Sequence, residues 1–129
     1  MTKLIGRKVP EKTIQREILA WLKSTELLYW RQNSGCVFVG KRMILLGEHG
    51  LPDIICIIPP SGRMCGLEVK SATGAMRPSQ QEFMTRIRKT GGFYFIVRSL
   101  KQAQEAIATC LGEEQLCSAA LKLDMERLM

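Results

Sequence analysis

The chain has 129 residues, 46% of them hydrophobic and 24% charged, which suits one domain over residues 1–129 with its own core and excludes wholesale disorder. No apolar run reaches the roughly 20 residues that span a bilayer, and the basic start from Met1 to Lys8 lacks the hydrophobic stretch of a signal peptide, so no membrane partner and a cytoplasmic location are expected. A formal charge of +7 favours a polyanionic partner, since each phosphate neutralised releases counterions, while five cysteines without a Cys-x-x-Cys pair and a single histidine argue against a zinc site or a disulfide framework.

Thr13 to Lys23 carries Ile14, Ile18, Trp21 and Leu22 at helical spacing. At about 100° per residue, Glu17 lies about 60° from Ile14, on the border of the apolar stripe, where it either reaches into a cleft or pairs on the surface. Leu27 to Arg31 reads as a short strand and Gln32 to Gly35 as a loop. Cys36 to Val39 and Met43 to Leu46 flank Gly40-Lys41-Arg42, the pattern of a hairpin with glycine at a positive-φ turn position. His49, in the glycine-flanked loop that follows, is either simply exposed or placed to touch a phosphate.

Asp53 to Ile58 is rich in β-branched residues, Pro59-Pro60-Ser61-Gly62 supplies a turn, and a second strand runs on to Lys70. Alternation puts Glu68 and Lys70 on one face and Cys65, Leu67 and Val69 on the other. With the turn centred between Pro60 and Ser61, Cys56 faces Cys65 and Asp53 faces Glu68. Like charges opposite each other on a sheet are destabilising, so something positive belongs between them, either Lys70 or a divalent cation. A hard cation such as Mg²⁺ takes carboxylate, water and phosphate oxygens, and Asp53, Glu68 and a phosphodiester would supply such a shell. The alternative is a solvated charged face with Asp53 capping a turn, against which stands the apolar character of both strands.

Ser71 to Gly74 reads as a loop, and Pro78 suits the first turn of a helix that carries Phe83, Met84 and Ile87 and stops at Gly91-Gly92. Phe93 to Val97 is an apolar strand. A helix from about Leu100 to Leu111 is expected to end at Gly112, and Gln115 to Leu128 to form a last amphipathic helix, either a dimer element or a frayed tail. The order of elements predicts an α/β (α+β) layered fold, a central mixed sheet flanked by helices, with the strand-end charges gathered beside Glu17.

Pro52-Asp53 with Glu68-Val69-Lys70 resembles the signature of the PD-(D/E)XK nuclease superfamily, whose core is restriction-endonuclease-like. The match narrows through Gly50-Leu51-Pro52-Asp53-Ile54-Ile55, Glu68-Val69-Lys70-Ser71, the Gly74 loop, Arg77-Pro78-Ser79-Gln80, and Gly91-Gly92 before Phe95-Ile96-Val97-Arg98-Ser99. These resemble the VRR-NUC family over about residues 12 to 100, in particular its small stand-alone members from phages and bacteria. The resemblance implies that Glu17, Asp53, Glu68 and the main-chain carbonyl of Val69 hold Mg²⁺ or Mn²⁺, and that Lys70 orients or deprotonates the attacking water. It implies that Gln80, or its neighbour Gln81, is the family's helix glutamine, and that Arg98 is the arginine after the last strand; Lys41, Arg42, Arg77 and Arg98 are candidate DNA contacts. The implied activity is metal-dependent cleavage of Holliday junctions or related branched DNA by a homodimer, in the cytoplasm of a bacterium or a phage-infected host. A catalytically inactive nucleic-acid-binding module on the same fold is the alternative.

Overall fold

The structure, a computed structural model, describes residues 8–32, 35–46 and 50–128. His49, Lys3 and Arg7 lie outside the described residues. In chain order the elements are α1 (Glu11–Lys23), β1 (Leu28–Arg31), β2 (Gly35–Val39), β3 (Arg42–Leu46), β4 (Ile54–Ile58), β5 (Arg63–Val69), α2 (Pro78–Lys89), β6 (Phe93–Val97) and α3 (Leu100–Leu128). Four strands form a mixed sheet in the order β1-β4-β5-β6, antiparallel except for the β5–β6 pair, and β2 and β3 form a separate ribbon. No helix among the described residues is long and apolar enough to cross a membrane.

The two faces of the sheet are used differently. Ile54, Cys56 and Ile58 of β4, Cys65, Leu67 and Val69 of β5, and Phe93 and Val97 of β6 point to one side. There they meet Ile14, Ile18 and Leu22 of α1 and Ala103, Ala106, Ile107 and Cys110 of α3, all buried. At about 25 cal/mol per Å² of apolar surface withdrawn from water, this layer is the main stabilising term. The other face carries Gly66, Glu68 and Lys70 of the β5 segment and Tyr94 of β6, and α2 approaches it through the Phe83–Tyr94 ring contact at 6.5 Å. Burial therefore runs through every residue from Cys65 to Ser71. The charged face of β5 is an interior face.

The predicted hairpin register holds: Cys56 pairs with Cys65 and Ile54 with Leu67, so the next step of the same ladder sets Asp53 opposite Glu68. The β2–β3 turn has Gly40 at φ +63°, and Gly91 ends α2 at φ +90°, as a left-handed C-terminal cap requires. One expected boundary is corrected. Gly112 does not stop a helix; α3 runs unbroken for 29 residues from Leu100 to Leu128. Gly112 is absent from the positive-φ glycines, and packing on both sides of it offsets the roughly 1 kcal/mol that a helical glycine costs. Cys110 is buried before it, and Glu114 after it is buried and accepts a hydrogen bond from the Ser61 hydroxyl.

Two close approaches fix the strand that bears the charges. A Cβ on Gly66 would lie 2.7 Å from Pro52 Cγ and 3.3 Å from Tyr94 Cδ2. Gly50, at φ +85°, lies against the Ser79 carbonyl at the start of α2. We expect Gly66→Ala to cost about 1–3 kcal/mol by overpacking, measured by urea denaturation; an unchanged midpoint would mean that Pro52 is not held against β5.

Candidate active site

Asp53 ends the loop that Gly50 and Pro52 place under α2, one residue before β4. Its Oδ2 accepts the Val69 N–H at 2.8 Å, and its own carbonyl accepts the Gln32 N–H at 2.8 Å, so the residue is pinned from both neighbouring strands. Glu68 is 3% exposed. Its Oε1 accepts the Gln80 Nε2–H at 2.9 Å and lies 3.6 Å from Lys70 Nζ, while its Oε2 is buried without a hydrogen-bond partner. A carboxylate oxygen in that state carries a desolvation cost of several kcal/mol unless a proton or a cation meets it.

The electrostatics agree. Burial pushes the Glu68 carboxyl up to about 8, the Asp53 charge adds to this, and Lys70 opposes it. Burial also raises Asp53, against the Val69 N–H and the Lys70 ammonium, which hold its ionised form. Tyr94 is raised as well, first by burial and then by the charges of Glu68 and Asp53, which places its phenol in the same field. Two neighbouring acids both raised by burial, with one Glu68 oxygen left bare, fit a divalent cation. Among the described residues no three Asp, Glu, His or Cys side chains close around a common point, so Asp53 and Glu68 are the nucleus of the site, and solvent or substrate oxygens would complete any ion's shell.

Gln80, not Gln81, is the helix glutamine of the site. Gln80 is 9% exposed and Gln81 is on the surface. While its Nε2 donates to Glu68, its Oε1 accepts the Arg77 N–H at 2.9 Å, so α2 cannot start in this register without orienting the carboxamide. Glu17 is exposed on α1; Glu11, also exposed, is the acidic residue of α1 whose Oε1 accepts the Ser71 N–H at 3.3 Å and whose charge acts on Asp53. Glu11 precedes Ile14 by three residues as Glu17 follows it by three, so the two lie on opposite borders of one apolar stripe. The start of α1 directly after Pro10, two residues earlier than Thr13, is the signal that points to Glu11.

The remaining cations are dispersed. Lys41 and Arg42 are exposed at the β2–β3 turn, and Arg77 is exposed before α2. Arg98 is turned inward, its Nη1 donating to the carbonyls of Ser71 and Gly74 at 2.5 and 2.8 Å. Tyr94 is the member of this face that sequence reading missed, because an aromatic residue within Phe93 to Val97 looks like core in either orientation.

The VRR-NUC domain model matches residues 7–101. The chain is a member of the VRR-NUC family. A solved structure described as a VRR_NUC domain aligns at 27% identity with a TM-score of 0.57, covering 76% of this chain and 94% of that one. No curated protein matches. The central mixed sheet flanked by helices is thus the PD-(D/E)XK-like fold of VRR-NUC nucleases, and Asp53, Glu68, Lys70 and Gln80 all lie within the segment that matches.

Between its ordinary value of 4.5 and about 8 the folded protein keeps a proton on Glu68 that the unfolded chain has released. This contribution to stability is complete below about 4.5 and is lost as pH rises to about 8, a loss on the order of a few kcal/mol. Denaturation in chelator across this range should show the decline, and Glu68→Gln should flatten it. A wild-type stability that rises over the same window would refute the protonated pair.

Proposed function

We propose that this VRR-NUC protein is a metal-dependent endodeoxyribonuclease that hydrolyses phosphodiester bonds in branched DNA, four-way junctions in particular, as a homodimer. The observation that carries the reading is buried Glu68 beside half-buried Asp53, with Glu68 Oε2 left unpartnered and Oε1 3.6 Å from Lys70 Nζ. Asp53, Glu68 and the main-chain carbonyl of Val69 are the residues that would hold Mg²⁺ or Mn²⁺, with Glu11 taking the place expected for Glu17. When bound, such an ion would lower the pKa of a coordinated water and offset charge on the phosphate.

The chain's own groups divide the remaining work. Val69 N–H fixes one oxygen of Asp53, leaving the other for a ligand. Gln80 holds Glu68 Oε1 by a neutral donor and orients the carboxylate beside the Lys70 ammonium. The Lys70 ammonium, almost wholly buried, is a fixed cation beside the carboxylates, suited to orient a water and to stabilise charge that develops on a phosphate. Exposed Lys41, Arg42 and Arg77 are candidates for phosphate contacts.

Support for a homodimer comes from apolar surface that the domain leaves uncovered. Phe38, Val39, Met43 and Ile44 on the β2–β3 ribbon and Leu116, Leu123, Met125 and Leu128 on α3 are all at least 42% exposed. A two-stranded ribbon that is apolar on both sides is marginal in water by itself. A two-fold pair would also bring two equivalent sites to one junction.

A panel of labelled single-stranded, duplex, flap and four-way DNA with Mg²⁺ or Mn²⁺ tests the reading. Wild type should cut the junction preferentially, Asp53→Ala should lose at least about a hundredfold in rate, and Lys70→Ala should lose most turnover while still taking up Mn²⁺. Equal cleavage by wild type and Asp53→Ala would remove the assignment. Tight junction binding without cleavage under either ion would favour an inactive binding module instead.

A further inference from the structure

Arg98 follows β6 and is half-buried, and no ion pair among the described residues involves it. Its charge is met by carbonyl dipoles. Nη1 donates to Ser71 at 2.5 Å and to Gly74 at 2.8 Å, and the Gly74 N–H closes the same turn on the Ser71 carbonyl at 3.2 Å. One guanidinium nitrogen thus ties both ends of the loop that leaves Lys70. Lys70 is itself anchored to β6 by its N–H to the Val97 carbonyl at 3.1 Å, one residue before Arg98.

What that loop holds is the acidic side chain from α1. The Ser71 N–H donates to Glu11 Oε1 at 3.3 Å, and a Cβ on Gly74 would come within 3.1 Å of the same oxygen. Glu11 is on the surface, where a free glutamate would sample several rotamers and lose little by pointing into solvent. The loop supplies the donor that selects one arrangement, and Arg98 fixes the position of that donor.

We propose that Arg98 is a positioning residue of the site: by clamping Ser71 and Gly74 it holds the Glu11 carboxylate toward Asp53, and so raises the affinity of the Asp53 and Glu68 pair for a divalent cation. This replaces the expectation that Arg98 meets DNA, and it rests on the metal-dependent reading above. A partner of this kind typically changes metal affinity by 10–100-fold. The loss should be smaller for Arg98→Lys, since an ammonium keeps the charge but not the planar fork.

Mn²⁺ titrated calorimetrically into the DNA-free protein, with junction binding in chelator followed by fluorescence anisotropy, tests the role. Arg98→Ala should weaken Mn²⁺ binding about tenfold and leave metal-free junction binding unchanged, and Gly74→Ala should weaken Mn²⁺ binding by crowding Glu11 with Arg98 intact. In a Glu11→Gln background, Arg98→Ala should bring little additional loss, the non-additivity expected of residues acting through one contact. Wild-type Mn²⁺ affinity in Arg98→Ala with weakened junction binding would overturn the proposal in favour of a phosphate contact. Should Arg98→Ala fail to fold, wild-type Mn²⁺ affinity in both Arg98→Lys and Gly74→Ala would overturn it equally. A wild type that takes up no Mn²⁺ would overturn the metal-dependent reading and this role together, whereas Mn²⁺ uptake without cleavage would leave the positioning role to be decided by the variants.

Discussion

Two carboxylates brought face to face at the buried end of an antiparallel ladder are the constraint around which this domain is arranged. The apolar strands Ile54–Ile58 and Arg63–Val69 pair in a register that leaves Asp53 no position other than opposite Glu68. Moving β5 by one residue would send Leu67 and Val69 out of the core and Glu68 into it. The hydrophobic layer under α1 and α3 therefore enforces an electrostatic opposition on the other side of the same sheet. The surroundings are fitted to that opposition: a lysine on the same face, a carboxamide from α2, and a main-chain N–H on Asp53.

The close packing nearby serves the same end. Gly66 lets Pro52 lie directly on β5, and Gly50 lets the loop pass under the start of α2. Both glycines are needed because backbone and side-chain atoms occupy the space a Cβ would take. Together they deliver Asp53 and Gln80 to Glu68 from opposite directions along the chain, with a precision that loops alone seldom provide.

Much of this was legible in the residues. Alternation along Cys65 to Lys70 gave the two faces, and the turn at Pro59 to Gly62 gave the register. What failed to show was set by three-dimensional placement. Glu11 and Glu17 are equivalent by helical angle, and only the approach of the N-terminus of α1 to Ser71 distinguishes them. Gln80 and Gln81 differ by one step, and the sheet beneath chooses between them. That Arg98 donates to two carbonyls is likewise invisible in sequence, because Ser71 and Gly74 lie 27 and 24 residues back along the chain. Gly112 looked like a stop because a glycine after a helical run usually is one; the anchoring of Glu114 by Ser61 lies 53 residues back along the chain.

The family segment closes at residue 101, while α3 begins at Leu100. Ala103, Ala106, Ile107 and Cys110, which cover β4, β5 and β6, thus come from sequence outside the shared pattern. The candidate site and the start of α2 above it lie within the matched segment, but half of the floor lies beyond it. A fragment cut at the family boundary would retain every residue of the candidate site and still leave half of the apolar sheet face without its cover, the kind of exposed apolar patch that favours aggregation.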